Sequence, residues 1–284
     1  MLLAAFSYFV FTCFDTITKY LAARFSVFQI MTCEFFVAAL VVFVFVCFKK
    51  GHAWRDELKP RMWKLHALRG VLQIMSQSLF FIGFVHIPLT EFYVILFTIP
   101  LLVMLFSGWL LGEKITAALM VAMALGFLGV CVALRPDQGL DGWTLLIFLG
   151  ALLNAAAATT LRRMMKTEKV MATAFSLCLV LASGMLIPGI LFFKMPGIDD
   201  FLLMVLGGVF YGAATCMFSA AFSQAPASRA VVPQFLQLIY GAIAGYLVFN
   251  HVPTVWIYIG GAIVIASNLY LVWMQEKKPN DPMV

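Results

Sequence analysis

FSQAPASRA, residues 222–230, repeats the layout of FVHIPLTEF, residues 84–92. Phe222 stands 138 positions after Phe84, Pro226 stands 138 after Pro88, and Arg229 falls against Glu91 with the charge reversed. Working outward, the same offset pairs Gly70 with Gly208, Phe80 with Phe218, Val94 with Val232, Phe97 with Phe235 and Thr116 with Thr254. Apolar sequences share identities by accident, so the spacing of whole apolar runs decides the reading.

A membrane helix needs about 20 mostly apolar residues. Ten such runs are predicted, at roughly 1–22, 28–48, 68–86, 90–111, 115–134, 143–161, 171–193, 201–222, 229–249 and 254–274. Runs three, four and five align with eight, nine and ten, gap against gap. Run one aligns with run six at an offset of about 143, which sets Lys19 against Arg162. Each half thus holds five spans. Five is odd, so the second half enters the membrane upside down relative to the first, the inverted repeat common among alternating-access transporters. The expected fold is an all-α integral membrane protein of ten transmembrane helices in two inverted five-helix repeats, residues 1–136 and 137–275, with a tail at 276–284.

Composition agrees. Of 284 residues, 63% are hydrophobic and only 11% charged, with a mean hydropathy of +1.00; soluble domains carry about 25% charged residues. The net charge of +6 does not indicate a nucleic-acid partner, because the basic residues lie in short gaps and form no continuous face. The six cysteines sit in or at the ends of apolar runs without a CxxC, as buried thiols do, and support neither zinc nor a disulfide framework. No basic n-region of a cleavable signal precedes the first run; a chain lacking a few N-terminal residues fits that start. HExxH, GxSxG and Walker patterns are absent, and the four histidines show no ligand spacing, so neither an enzyme, an ATP-driven pump nor a cofactor is expected.

Lys and Arg crowd the gaps that face the cytoplasm in cells if both termini are cytoplasmic. Of 19 basic residues, only Lys19, Arg24, Arg135 and Lys194 fall on the other side. The expected location is the plasma membrane, the inner membrane of a bacterium.

PLTEFYVILFTIPLLVMLFSGWLLGEKIT (88–116) and FSQAPASRAVVPQFLQLIYGAIAGYLVFNHVPT (222–254) resemble the two EamA units of the drug/metabolite transporter superfamily. DTITKYL (15–21) resembles the family's first helix, and LRG (68–70) the start of its third. The resemblance covers nearly the whole chain. It implies a central cavity between two five-helix halves and secondary transport of a small metabolite, often export. Glu34 stands where many members carry arginine, and His251 where an acid is common.

Candidate functional residues follow from the cost of polar groups within a membrane. Asp15 and Lys19, at i and i+4, share a helix face. Two readings stand: proton or cation binding at Asp15, or a structural ion pair with Lys19 snorkelling. Glu34 either couples to protons or pairs with Arg24 or Lys19. Glu91 and Glu113 sit at helix ends and are read as caps or loop contacts. Arg69, Gln73 and Gln77 with Ser76 form a polar stripe on the third helix. Gln234, Gln237, Tyr211, Asn154 and Tyr93 supply amides and phenols to the other helices, and such groups both donate and accept hydrogen bonds. Gln73, Gln77, Tyr93, Asn154, Tyr211, Gln234 and Gln237 are the expected substrate-binding set, with Asp15, Lys19 and Glu34 as charge or coupling residues and no metal. The expected partners are a small organic substrate (amino-acid-like, vitamin-like or nucleotide-like), the lipid bilayer and protons. Against an exporter or exchanger stands a non-transporting membrane scaffold, which predicts no central cavity.

Overall fold

The computed structural model describes residues 2–111, 117–134, 141–224, 234 and 236–277. The Gly112-Glu113-Lys114 and Arg135-Pro136-Asp137 gaps, the segment around Pro226 and Arg229, and the tail beyond Lys277 lie outside them. The described residues contain helices and no strand. Twelve α-helices follow in order: α1 Leu2–Ala22, α2 Val27–Lys50, α3 Trp54–Leu58, α4 Trp63–Phe84, α5 Leu89–Leu96, α6 Thr98–Leu111, α7 Ala117–Leu134, α8 Gly142–Met164, α9 Val170–Leu191, α10 Ile198–Gln224, α11 Leu236–Phe249 and α12 Val255–Lys277. In lipid a helix satisfies its own backbone, which is why long apolar runs fold this way.

Six stretches among the described residues are long and apolar enough to cross a membrane: Val27–Leu58, Trp63–Phe84, Glu91–Leu110, Gly142–Met164, Val170–Leu191 and Ile198–Ala221. Shorter apolar stretches lie in α7, α11 and α12. α1 is not among the six; it carries Asp15, Lys19 and three threonines. This is a multi-pass membrane protein. α2 ends where Lys49 and Lys50 meet Gly51, whose φ of 51° stops the helix.

The fourth predicted run is not one helix. It breaks between α5 and α6 at Phe97, whose N–H is shared between the carbonyls of Tyr93 and Val94, at 3.0 and 3.2 Å. Pro100 has no N–H to offer the carbonyl of Leu96 four residues back. The amide of Gln234 donates to that oxygen instead, at 3.2 Å.

α1 packs against α10 and α11, while α8 packs against α4 and α6. α2 packs against α10, and α9 against α4; α2 also meets α9, and α7 meets α12. Exchanging each early helix for its later counterpart leaves the α2–α9 and α7–α12 contacts unchanged and turns the others into one another. Close approaches follow the same rule. Gly70 of α4 lies under Val180 of α9, and Gly208 of α10 lies under Val37 of α2.

Candidate functional site

The polar residues of α1, α4, α8, α10 and α11 converge on a central cavity of about 150 Å³. α4 contributes Gln73 and Gln77 from successive turns, α8 contributes Asn154, α10 contributes Tyr211 and Thr215, and α11 contributes Gln237, with Gln234 just ahead of it. Asp15 lines the cavity from α1. Tyr93 does not line it. Its fully buried phenol donates to Asp15 Oδ2 at 2.9 Å, holding the carboxyl from behind. The Tyr93 ring fits because Gly241 on α11 leaves the space that a Cβ would fill.

The lining draws on both ends of the repeat offset. Gln73 and Tyr211, Gln77 and Thr215, Phe80 and Phe218, Leu96 and Gln234, and Ile99 and Gln237 are each 138 positions apart, and all ten face the cavity. Phe11 and Asp15 likewise line it with Asn154 and Ala158, their counterparts at about 143.

Two expected ion pairs are not formed. Lys19 does not reach Asp15; its Nζ donates to the carbonyl of Phe84 at 2.5 Å and to that of Ile87, and it lies 5.1 Å from the Phe84 ring centre. Phe84 is the last residue of α4 and Ile87 lies just beyond it, so these carbonyls have no intrahelical donor and take the ammonium in place of the carboxylate one turn away. Glu34 pairs with neither Arg24 nor Lys19. Arg24 bridges to Asp200 at 2.9 Å. Glu34 is wholly buried, off the cavity, where Thr18 donates to its two oxygens at 3.1 and 3.0 Å. Its Oε1 occupies the space a Cβ on Gly207 would take.

Beside the cavity, toward the first turns of α4, a polar cluster joins α4 to the α8–α9 connection. Glu168 Oε1 accepts the backbone N–H groups of Arg61 and Met62 at 2.8 and 2.5 Å, with His66 Nε2 at 3.4 Å. The other His66 nitrogen lies 2.6 Å from the Ser176 hydroxyl. At the opposite ends of the helices the Gln29 side chain clamps the backbone N–H and C=O of Lys194, at 2.8 and 2.6 Å. Glu91 opens α5, half-buried.

Sequence reasoning left two features out of the site. Arg69 is buried and lines the cavity; it begins the same i, i+4, i+8 stripe as Gln73 and Gln77, and that spacing is the signal that includes it. The other is the aromatic wall of Tyr8, Phe11, Phe14, Phe80, Phe81, Phe92 and Phe218. With 28 phenylalanines in the chain, nothing in the sequence separates these from rings that face lipid. Among the described residues, no group of three or more His, Cys, Asp or Glu could hold a metal ion.

Residues 1–135 and 142–273 match the model of the EamA-like transporter family. The chain belongs to that family. Family membership makes it a transporter rather than an enzyme. This EamA-like chain is 25% identical over 264 residues to an S-adenosylmethionine uptake transporter of Rickettsia prowazekii (strain Madrid E), covering 93% of this chain and 88% of the relative. It is 24% identical over 230 residues to a riboflavin transporter of Rhizobium johnstonii, covering 78% of this chain and 73% of that one. A solved crystal structure superposes with a TM-score of 0.74 at 17% identity over 97% of both chains, a likeness of fold alone.

Proposed function

We propose that this EamA-like chain is a secondary active transporter that moves a small organic metabolite, amino-acid-like or vitamin- or nucleotide-like, by alternating access. It has ten membrane helices in two inverted repeats, 1–136 and 137–275, rocking about the central cavity. The observation that carries this reading is the lining itself. Positions equivalent in the two repeats face one cavity, and the helix contacts exchange into one another when the halves are exchanged. A pseudo-two-fold relation between two halves that share one cavity supports two alternative packings of similar energy, as alternating access requires. A cavity of this kind counts against the scaffold alternative.

The substrate contacts are Gln73, Gln77, Asn154, Tyr211, Gln234 and Gln237, with Tyr93 acting through Asp15. Asp15 is the exchangeable charge, taking up and releasing a proton as substrate passes, so the movement is exchange or proton-coupled export. In this reading Lys19 and Glu34, expected from the sequence as charge or coupling residues, act as structural supports. Both termini are cytoplasmic in the inner membrane of a bacterium; a reporter fused after Val284 is active only in the cytoplasm, and a periplasmic signal overturns that topology.

Untargeted metabolite profiling of cells and medium tests the function, comparing wild type, a deletion, and Gln73→Ala/Gln237→Ala at matched expression. One compound class that follows the wild type and not the double variant supports the proposal. No shift in any class across several growth conditions overturns it.

A further inference from the structure

Arg69 is 5% exposed, lines the cavity, and has one side-chain hydrogen bond among the described residues, from Nη1 to the carbonyl of Thr173 at 3.1 Å. No carboxylate lies within ion-pair distance of it among the described residues. Asp15 accepts from the Tyr93 phenol, and Glu168 Oε1 accepts two backbone N–H groups. A guanidinium carries five N–H donors in a planar fork, and a cation inside a membrane bundle pairs with an anion or lines a substrate path. The Thr173 bond fixes one edge of the fork on α9.

Charge on the wall is unevenly distributed between the repeats. The counterpart of Arg69 at the 138 offset is Gly207, and the counterpart of Asp15 at the offset of about 143 is Ala158. One repeat therefore brings a cation and an acid to the cavity, while the other brings Asn154, Tyr211, Gln234 and Gln237.

Resting on the reading of this cavity as the substrate site, we propose that Arg69 anchors a substrate carboxylate. With Asp15 on the same cavity, it selects a zwitterion: an α-amino acid, or a metabolite bearing an amino-acid head, with its apolar or aromatic remainder against Phe11, Phe80 and Phe218. Arg grips a carboxylate through two parallel N–H bonds, which Lys and Gln do not reproduce.

The test is ligand binding to the purified full-length chain in nanodiscs. The probes are L-phenylalanine, L-tryptophan and S-adenosylmethionine, each against its decarboxylated amine, with riboflavin as an aromatic ligand lacking both charges. In the wild type at least one acid binds about 10- to 100-fold more tightly than its amine. The gap closes in Arg69→Gln and is partly kept in Arg69→Lys. The comparison of acid with amine needs no variant, so misfolding of a variant does not blunt it. An amine that binds as well as its acid, riboflavin as the preferred ligand, or no binding by any carboxylate-bearing probe overturns the proposal. Failure of the cavity reading looks different: a probe binds, and Gln237→Ala and Asn154→Ala, which leave Arg69 in place, alter the binding of none. That result removes the carboxylate anchor as well.

Discussion

The phenol of Tyr93 donates to the carboxyl of Asp15 at 2.9 Å, across 78 residues and from a side chain that never touches the cavity. It orients the one acid on the cavity wall among the described residues. Asp15→Asn keeps the volume and loses the charge, so transport of the compound class found by profiling falls to the level of the deletion strain at unchanged membrane expression. Tyr93→Phe removes only the bond to a polar partner, worth about 1.5–3 kcal/mol at most, and lowers the rate about tenfold. Unchanged transport in Asp15→Asn rejects the role given to Asp15.

Gln234 completes a helix that Pro100 leaves open. In Gln234→Leu the carbonyl of Leu96 loses its donor, at a cost of about 1–3 kcal/mol. Adding Pro100→Ala gives that carbonyl a backbone N–H, so the double variant recovers much of the loss. Thermal unfolding in detergent of wild type, both singles and the double reads this as a cycle; strict additivity of the two singles counts against the repair.

Gly207 makes room for Glu34. Gly207→Ala drives a methyl into Oε1 and separates α10 from α2, an overpacking expected to cost about 1–3 kcal/mol. Glu34→Ala frees the space, so Gly207→Ala is far better tolerated in that background. If Gly207→Ala costs the same with and without the Glu34 carboxylate, the contact is not what keeps a glycine there.

Glu168→Ala leaves the N–H groups of Arg61 and Met62 without their acceptor. The expected loss is about 2 kcal/mol or more. The segment ahead of α4 loosens, and limited trypsin digestion cuts faster after Arg61 and Lys64. Digestion indistinguishable from the wild type means that the cluster does not secure this end of α4.

Much of the helix pattern was legible in the sequence because apolar runs bounded by Lys, Gly and Pro leave few alternatives. α1, α2, α8 and α9 begin and end within a few residues of expectation. The polar stripes also pointed inward, since spacing of three and four residues fixes which side chains share a face, and Gln73, Gln77, Asn154, Tyr211, Gln234 and Gln237 meet at one cavity. What spacing could not give was the partner across the gap. Asp15 and Lys19 share a face, yet Lys19 turns to the carbonyls of Phe84 and Ile87, at and just past the end of α4, that only the fold brings within reach. Arg24 found Asp200 rather than Glu34 for the same reason. The break at Phe97 stayed hidden because proline inside a membrane helix is tolerated when a neighbour supplies the missing donor, and the donor is far away in the chain.

The Leu96 carbonyl carries a consequence for how the protein is made. Its donor, Gln234, is synthesised 138 residues later, so at roughly 5–20 residues per second the ribosome needs on the order of ten to thirty seconds to deliver it. Through that interval the nascent α5–α6 pair lacks both the i+4 N–H that Pro100 removes and the amide that replaces it, and a chain truncated before Gln234 never gains that donor.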